Sequence, residues 1–255
     1  MLRHSLIYLV SIFLTSSMVA SAASFDSVTF YTEEYPPFNF RENGEIKGIS
    51  VDLLREAAAL SDVTIPESNI ILLPWSRSYR STLLKENSGL FSTTRTPHRE
   101  NLFQWVGPIV TAKLGVIAKK TSGIQINEPL DLGNYRIGVM RDDIGEQMLF
   151  TLGVPRASMQ EVTDVNRLIE LLYKNRLDVI VYGERAVSWL VDRAGYRSDS
   201  FEVVYTIDQS AIYYAFNKSV DQKLIKALQK NIDILKNSKD ANGINRYQAI
   251  MEKYP

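Results

Sequence analysis

Residues 136–153 read Arg-Ile-Gly-Val-Met-Arg-Asp-Asp-Ile-Gly-Glu-Gln-Met-Leu-Phe-Thr-Leu-Gly. Arg136 to Met140 is a short apolar run of strand type. Ile144 to Leu152 carries helical spacing, and Gly153 closes it. The pattern then repeats. Met159 to Val162 predicts a strand, and Thr163 caps a helix that buries Leu168, Leu171 and Leu172. Leu177 to Tyr182 predicts an apolar strand, Glu184 to Ala194 a helix ended by Gly195, and Phe201 to Tyr205 a further strand. Strands alternating with helices imply a parallel sheet covered on both faces.

Outward toward the N-terminus, a second α/β unit emerges. Ser27 to Tyr31 reads as a strand, whereas Tyr35-Pro36-Pro37 cannot be regular, because proline fixes φ and removes a donor. Glu42-Asn43-Gly44 is a turn, and Ser50 is the expected N-cap of a helix running to Leu60. Ile70 to Leu73 and Gly89 to Ser92 predict strands, with a helix after Pro74 between them. Toward the C-terminus, Val110 to Lys119 and Ala211 to Phe216 are extended. Ser219 and Gln222 form a capping box opening a helix with Leu224, Leu228, Ile232 and Leu235 on one face, and Ile244 to Lys253 is a last helix. These final helices have no partner in the second unit and return to the first. The expectation is a two-lobed α/β fold with two mainly parallel sheets. Lobe 1 spans residues 23–112 plus 208–255 and lobe 2 spans 113–207, with a two-strand hinge near 108–115 and 205–211. A cleft between such lobes is a natural small-molecule site, and hinge closure its usual motion.

Composition narrows the function. The 255 residues are 45% hydrophobic and 23% charged, which predicts a globular chain. Lys+Arg and Asp+Glu are both 29, so no basic field attracts nucleic acid. Arg3 and His4, the apolar core Leu6 to Leu14 and the small residues Ala20-Ser21-Ala22 read as a signal peptide over 1–22, cleaved near Ala22. There is no cysteine, which excludes both disulfides and a lipid anchor on a cysteine at the cleavage site. With His98 the one histidine left after cleavage, a metal site is not expected. The expectation is a free periplasmic monomer without cofactor.

One polar stretch carries chemistry: Ser92-Thr93-Thr94-Arg95-Thr96-Pro97-His98-Arg99. Hydroxyls and backbone N–H groups at a strand end, beside the fixed fork of a guanidinium, suit a small carboxylate.

In order and spacing, several segments resemble the type II periplasmic solute-binding proteins called family 3, of amino-acid transporters, in a divergent branch. They are Tyr35-Pro36-Pro37-Phe38, Gly48-Ile49-Ser50-Val51-Asp52-Leu53-Leu54, Ser92-x-Thr94-x-Thr96-x-x-Arg99-Glu100, Ile137-Gly138-Val139, Leu177-Asp178-Val179-Ile180 and Tyr214-Ala215-Phe216-Asn217-Lys218. The resemblance implies that Arg99 grips a ligand carboxylate, that Ser92 and Thr94 assist, and that Tyr35, near Phe38, packs on the ligand. Two family features are altered. Arg141-Asp142-Asp143 stands where a Gly-Thr or Ser-Thr pair is usual, and Gly183, followed by Glu184, stands where an aspartate pairs the α-ammonium. Arg141 or Asp143 is read either as facing the cleft or as part of a helix start. Glu184 is read either as a replacement ammonium partner or as a first-turn glutamate favoured by the helix dipole. Trp75-Ser76-Arg77 after Pro74 adds Trp75 and Arg77 as candidates, with Trp75 either stacking on the ligand or forming core.

The expected function is capture of a small carboxylate-bearing solute, an amino acid or derivative, by hinge closure for an ABC-type importer. One alternative is an enzyme resembling cyclohexadienyl dehydratase, with Glu184 or Asp143 as general acid. No Gly-x-Ser-x-Gly elbow or plausible Ser/His/Asp set speaks for other catalysis. Another alternative is a free sensor that presents its ligand to a membrane receptor.

Overall fold

The computed structural model describes residues 24–255; the expected signal peptide, residues 1–22, lies outside them. In chain order the elements are β1 (Thr29–Thr32), β2 (Phe40–Glu42), β3 (Glu45–Lys47), α1 (Ile49–Ala59), β4 (Ile70–Leu72), α2 (Trp75–Leu84), β5 (Ser88–Thr94), α3 (Pro97–Glu100) and β6 (Gln104–Lys119). They continue with β7 (Ile137–Met140), α4 (Ile144–Thr151), β8 (Met159–Val162), α5 (Val165–Tyr173), β9 (Val179–Gly183), α6 (Glu184–Arg193), β10 (Phe201–Phe216), α7 (Gln222–Asn237) and α8 (Arg246–Glu252).

The main sheet has eight strands in the order β4-β1-β5-β10-β6-β9-β7-β8, and β2 and β3 form a separate hairpin. Pairs β1–β4, β1–β5, β7–β8 and β7–β9 are parallel, as expected of βα units. The two expected sheets are nevertheless joined, because β6 and β10 run antiparallel through both lobes. Each of these strands has 16 residues, where the sequence suggested one run from Val110 to Lys119 for β6 and two runs, Phe201 to Tyr205 and Ala211 to Phe216, for β10. Gly107-Pro108 hides the first part of β6, and the polar residues Asp208, Gln209 and Ser210 hide the middle of β10 from a pattern of apolar runs.

Each lobe has its own core. The first is built on Phe30, Phe38, Phe91, Tyr214 and Phe216, with Leu228 and Ile232 of α7 packed on it. The second covers both faces of β6, β7 and β9. Ile117, Ile180 and Tyr182 face α5 and α6, whereas Val116, Val179 and Val181 face α4, as alternation along a strand requires.

Three helix starts differ from expectation. Helix α1 begins after Gly48, and Ser50 lies buried within its first turn. Gly48 has φ of 127°, and a Cβ there would meet the Phe38 carbonyl oxygen at 2.4 Å, so glycine is required. Asp164, not Thr163, caps α5 by accepting from the Asn166 N–H. Asp221, not Ser219, caps α7 by accepting from the Lys223 N–H; Ser219 Oγ instead accepts from the Asn87 N–H at 2.8 Å.

The lobes touch on both sides of the crossings. Trp75 Nε1 of lobe 1 donates to the Asp142 carbonyl of lobe 2 at 2.9 Å. On the far side α6 meets lobe 1: Trp189 Nε1 donates to the Pro255 carbonyl at 3.1 Å, Arg193 Nη2 to the Arg41 carbonyl at 3.0 Å, and Arg185 to the Tyr254 carbonyl. The Trp189 ring lies 5.2 Å from Phe40.

Candidate functional site

Between the lobes lies a narrow cleft. Lobe 1 supplies Glu33, Tyr35, Trp75, Ser92 and Thr94, and lobe 2 supplies Asp143, Ile144 and Gly183. The crossings add Ala112, Lys113, Leu114, Asp208 and Ser210.

The lobe 1 wall is set by a bulge. Between Leu90 and Thr93, β5 has one residue more than β10 has between Ala215 and Tyr213. Ser92 lies in that bulge with φ of 61°, a left-handed conformation uncommon for a non-glycine residue. A buried network holds it there. Ser92 Oγ donates to Asn39 Oδ1, Ser50 Oγ lies 2.8 Å from Ser92 Oγ, and Asn39 Nδ2 donates to the Glu33 carbonyl at 2.7 Å. The hydroxyl proton of Ser92 thus serves the fold, which leaves its backbone groups to the cleft.

Arg99 sits behind Thr94, in the short helix α3. It is 2% exposed, and its guanidinium carbon lies 5.4 Å from the Trp75 ring centroid and 5.2 Å from that of Tyr79. Nη1 donates to the Thr94 carbonyl at 3.3 Å. Among the described residues, Nε and Nη2 are buried with no hydrogen-bond partner. Those two donors share one edge of the planar group and match the two oxygens of a carboxylate. Leaving buried charged donors unpaired is costly, so such a pair marks a place for a ligand. Arg95, by contrast, is engaged with Glu100 at the surface.

Two carboxylates face the same region. Glu33 is 8% exposed, and among the described residues its carboxylate makes no hydrogen bond or ion pair. Burial, and then the charge of Asp143, push the Glu33 carboxyl well above the usual range, while Arg99 opposes the shift. Burial raises Asp143 as well, again against the pull of Arg99. Asp143 occupies the N-cap position of α4, yet its side chain makes no capping hydrogen bond. Its loop is fixed instead by the Asp142 N–H donating to Glu146 Oε2 at 2.7 Å and by Trp75. The nearby Tyr182 hydroxyl is buried and unpartnered among the described residues, and its proton is held by burial and by both acids.

The remaining candidates lie elsewhere. Phe38 is in the lobe 1 core, 4.9 Å from the Tyr35 ring, and borders a side cavity. Arg77 is exposed on α2. Arg141 is exposed, paired with Glu161 at 3.0 Å, and does not line the cleft. Glu184 accepts from Thr206 Oγ1 at 2.8 Å and packs on Gly115, bordering side cavities rather than the cleft. At Gly183 a Cβ would meet Tyr35 Oη at 2.3 Å. Tyr35 therefore fills the space a longer residue at 183 would need.

Glu33 is a cleft residue that sequence pattern does not single out. Glu33-Glu34 before Tyr35-Pro36 looks like a solvated charge pair, and Glu34 does accept from the Arg41 N–H at 3.1 Å. The available signal was position: Glu33 directly follows β1, at the carboxyl end of a parallel strand, where α/β sheets bind ligands.

A cleft between two lobes crossed by β6 and β10 is the architecture of a two-lobed small-molecule binder. The chain belongs to the bacterial extracellular solute-binding proteins, family 3, which match residues 28–254. It is 23% identical over 228 residues to a probable histidine-binding protein of Campylobacter jejuni subsp. jejuni, covering 86% of this chain and 81% of that one. Among solved structures it is similar to a histidine kinase sensor domain with similarity to periplasmic binding proteins, with a TM-score of 0.76, 19% identity, and 89% and 95% of the two chains covered. It is also similar to a mutant arginine-binding protein from T. maritima, with a TM-score of 0.75, 19% identity, and again 89% and 95% covered. At these identities the structural likeness speaks for the fold alone. Among the described residues no helix is long and apolar enough to cross a membrane.

Proposed function

We propose that this chain is a periplasmic binding protein that captures a small carboxylate-bearing solute, an amino acid or derivative, and closes on it. The observation that carries this reading is the buried Arg99 fork, with Nε and Nη2 unpartnered among the described residues, set against Thr94 and Trp75 of the cleft wall. Lobe 1 is residues 23–112 plus 208–255 and lobe 2 is 113–207. The crossing strands act as the hinge, and Trp75 to Asp142 serves as a latch across the mouth. Ligand binding then shifts the open–closed equilibrium by its preference for the closed state. The closed form is delivered, as a monomer, to an ABC-type permease that supplies the energy.

The test is a thermal-shift and calorimetric screen of the protein against amino acids, their amides and organic acids. A ligand at 100 times its Kd adds about 2.7 kcal/mol of stability. Free acids should bind and their amides should not. The ligand should be recovered unchanged by mass spectrometry; conversion to product would favour the dehydratase-like reading, with Asp143 as acid. Equal binding of acids and amides would refute the carboxylate grip.

A further inference from the structure

Two acids of the cleft take no part in the carboxylate grip. Glu33 follows β1 in lobe 1, is buried, and among the described residues its carboxylate makes no hydrogen bond or ion pair. Asp143 lines the same cleft from lobe 2; it is half-buried, and its side chain caps no N–H of α4. The two carboxyls thus belong to different lobes, and only the approach of the lobes brings them together.

No surrounding charge neutralises this pair. Arg99 of α3 pulls on both acids, yet its Nη1 serves the Thr94 carbonyl and its Nε and Nη2 contact neither carboxylate. Glu34, next in the chain, adds negative charge beside Glu33. Beside Asp143, Glu146 of α4 is turned to the Asp142 N–H and to Arg156. Asp164, before α5, borders a side cavity with Glu33 but is engaged with the Asn166 N–H. Lys113 and Asp208 of the crossings, one cation and one acid, offset each other. Tyr35 and Tyr182 stay neutral, because burial and the two acids hold their protons. His98 of α3 is exposed. Ionised, Glu33, Asp143 and Arg99 sum to one negative charge in a narrow cleft, and a single proton cancels it.

We infer that Glu33 and Asp143 share one proton when the lobes are together, so that closing the cleft takes a proton from solvent and acidic pH favours the closed form. The proton adds to one carboxylate oxygen, and no other bond changes. With the lobes apart, water reaches both carboxyls and they ionise near their ordinary 4.5 and 3.8. With the lobes together, burial raises both, and the charge of Asp143 raises Glu33 further. The closed form then holds more protons than the open one between the ordinary and the raised values. Its share grows as pH falls through that interval, by at most about tenfold per pH unit for one proton. This inference rests on hinge closure, not on what Arg99 holds, although a carboxylate on Arg99 offsets its pull on the acids and keeps the proton in place.

The test uses the absence of cysteine. Arg80→Cys on α2 and Thr151→Cys on α4 place one exposed label in each lobe for single-molecule energy transfer. On ligand-free protein two populations should appear, and the closed-to-open ratio should rise about tenfold or more from pH 8 to pH 5. Glu33→Gln and Asp143→Asn should each cut that rise to about threefold or less. His98→Gln should keep it, which separates the acids from an imidazole that titrates in the same range. Circular dichroism checks the fold of each variant, and either acid variant alone suffices. Two populations whose ratio ignores pH, a full rise in a folded acid variant, or a rise lost in His98→Gln overturns the inference and leaves the hinge standing. A single population at every pH, even in Trp75→Phe without its bond to the Asp142 carbonyl, overturns the inference and the hinge closure beneath it.

Discussion

Replacing Arg99 by methionine keeps a long apolar stem between Trp75 and Tyr79 and removes the guanidinium fork. Two donors are lost to the ligand, Nε and Nη2, because Nη1 already serves the Thr94 carbonyl. A hydrogen bond to a charged group is worth about 1.5–3 kcal/mol. Two of them predict a loss of about 3–6 kcal/mol, roughly a 10²- to 10⁴-fold weaker Kd. Arg99→Lys keeps the charge as a single point without the fork, so its Kd should fall between wild type and Arg99→Met. Titration calorimetry with the best carboxylate ligand measures both. Circular dichroism shows whether the fold persists, and the amide of the same ligand should bind all three proteins equally poorly. Affinity of folded Arg99→Met within about threefold of wild type would refute the clamp, and with it the reason for reading buried, unpartnered donors as a ligand site.

Three further outcomes follow from other contacts. Trp189→Phe removes the hydrogen bond to the Pro255 carbonyl and leaves the cleft untouched; a net loss of about 0.5–1.5 kcal/mol from the closed state predicts roughly two- to tenfold weaker binding. Small-angle scattering should then show a more open ligand-free form, and an unchanged Kd would mean that this contact does not report closure. Gly183→Ala drives a Cβ against Tyr35 Oη, so it should weaken binding. Adding Tyr35→Phe should restore part of the loss, and strict additivity in the double-mutant cycle would deny the contact. The pH dependence has a definite sign. Burial raises the folded-state pKa of Glu33 and Asp143 above their ordinary 4.5 and 3.8. Between those ordinary values and the raised ones the folded protein holds more protons than the unfolded chain. The contribution of these groups to stability is therefore greatest at low pH and falls as pH rises through that window. In thermal melts of ligand-free protein, Glu33→Gln should gain most over wild type on the alkaline side of the window; an equal difference at pH 5 and pH 8 would place the Glu33 carboxyl at an ordinary pKa.

How much of the fold and the site was legible in the sequence depended on whether the determinant was local. The run from Arg136 to Tyr205 declared its strands and helices because each element has one periodicity and a turn residue at its end. Arg99 was legible because Ser, Thr and Arg at fixed spacing after an apolar strand carry a chemical meaning of their own, independent of the surrounding fold. The length of β6 and β10 was not legible. Gly107-Pro108 interrupts the start of β6 and a polar middle interrupts β10, and the continuous pairing of the two, from Phe201 with Lys119 to Phe216 with Gln104, makes each a single strand. Helix caps moved by a residue or two because neighbouring residues compete for the same N–H, and the backbone path decides which wins. Arg141 and Glu184 were plausible cleft residues by position, but local partners, Glu161 and Thr206, claim them.

Glu33 is the instructive case, because its role depends on residues far along the chain. In sequence it is one of two adjacent glutamates, and only the fold separates them: Glu34 pairs with its own hairpin, while Glu33 lies across the cleft mouth from Asp143. The same geometry links it to Gly183. A tyrosine at 35 with its hydroxyl over position 183 leaves no room for a side chain there. The structure offers Glu33 and Asp143, one from each lobe. Their like charges repel most when the lobes are together, so a ligand that relieves that repulsion is held best by the closed form. That is differential affinity for the closed state, which is what a ligand must have in order to close the cleft.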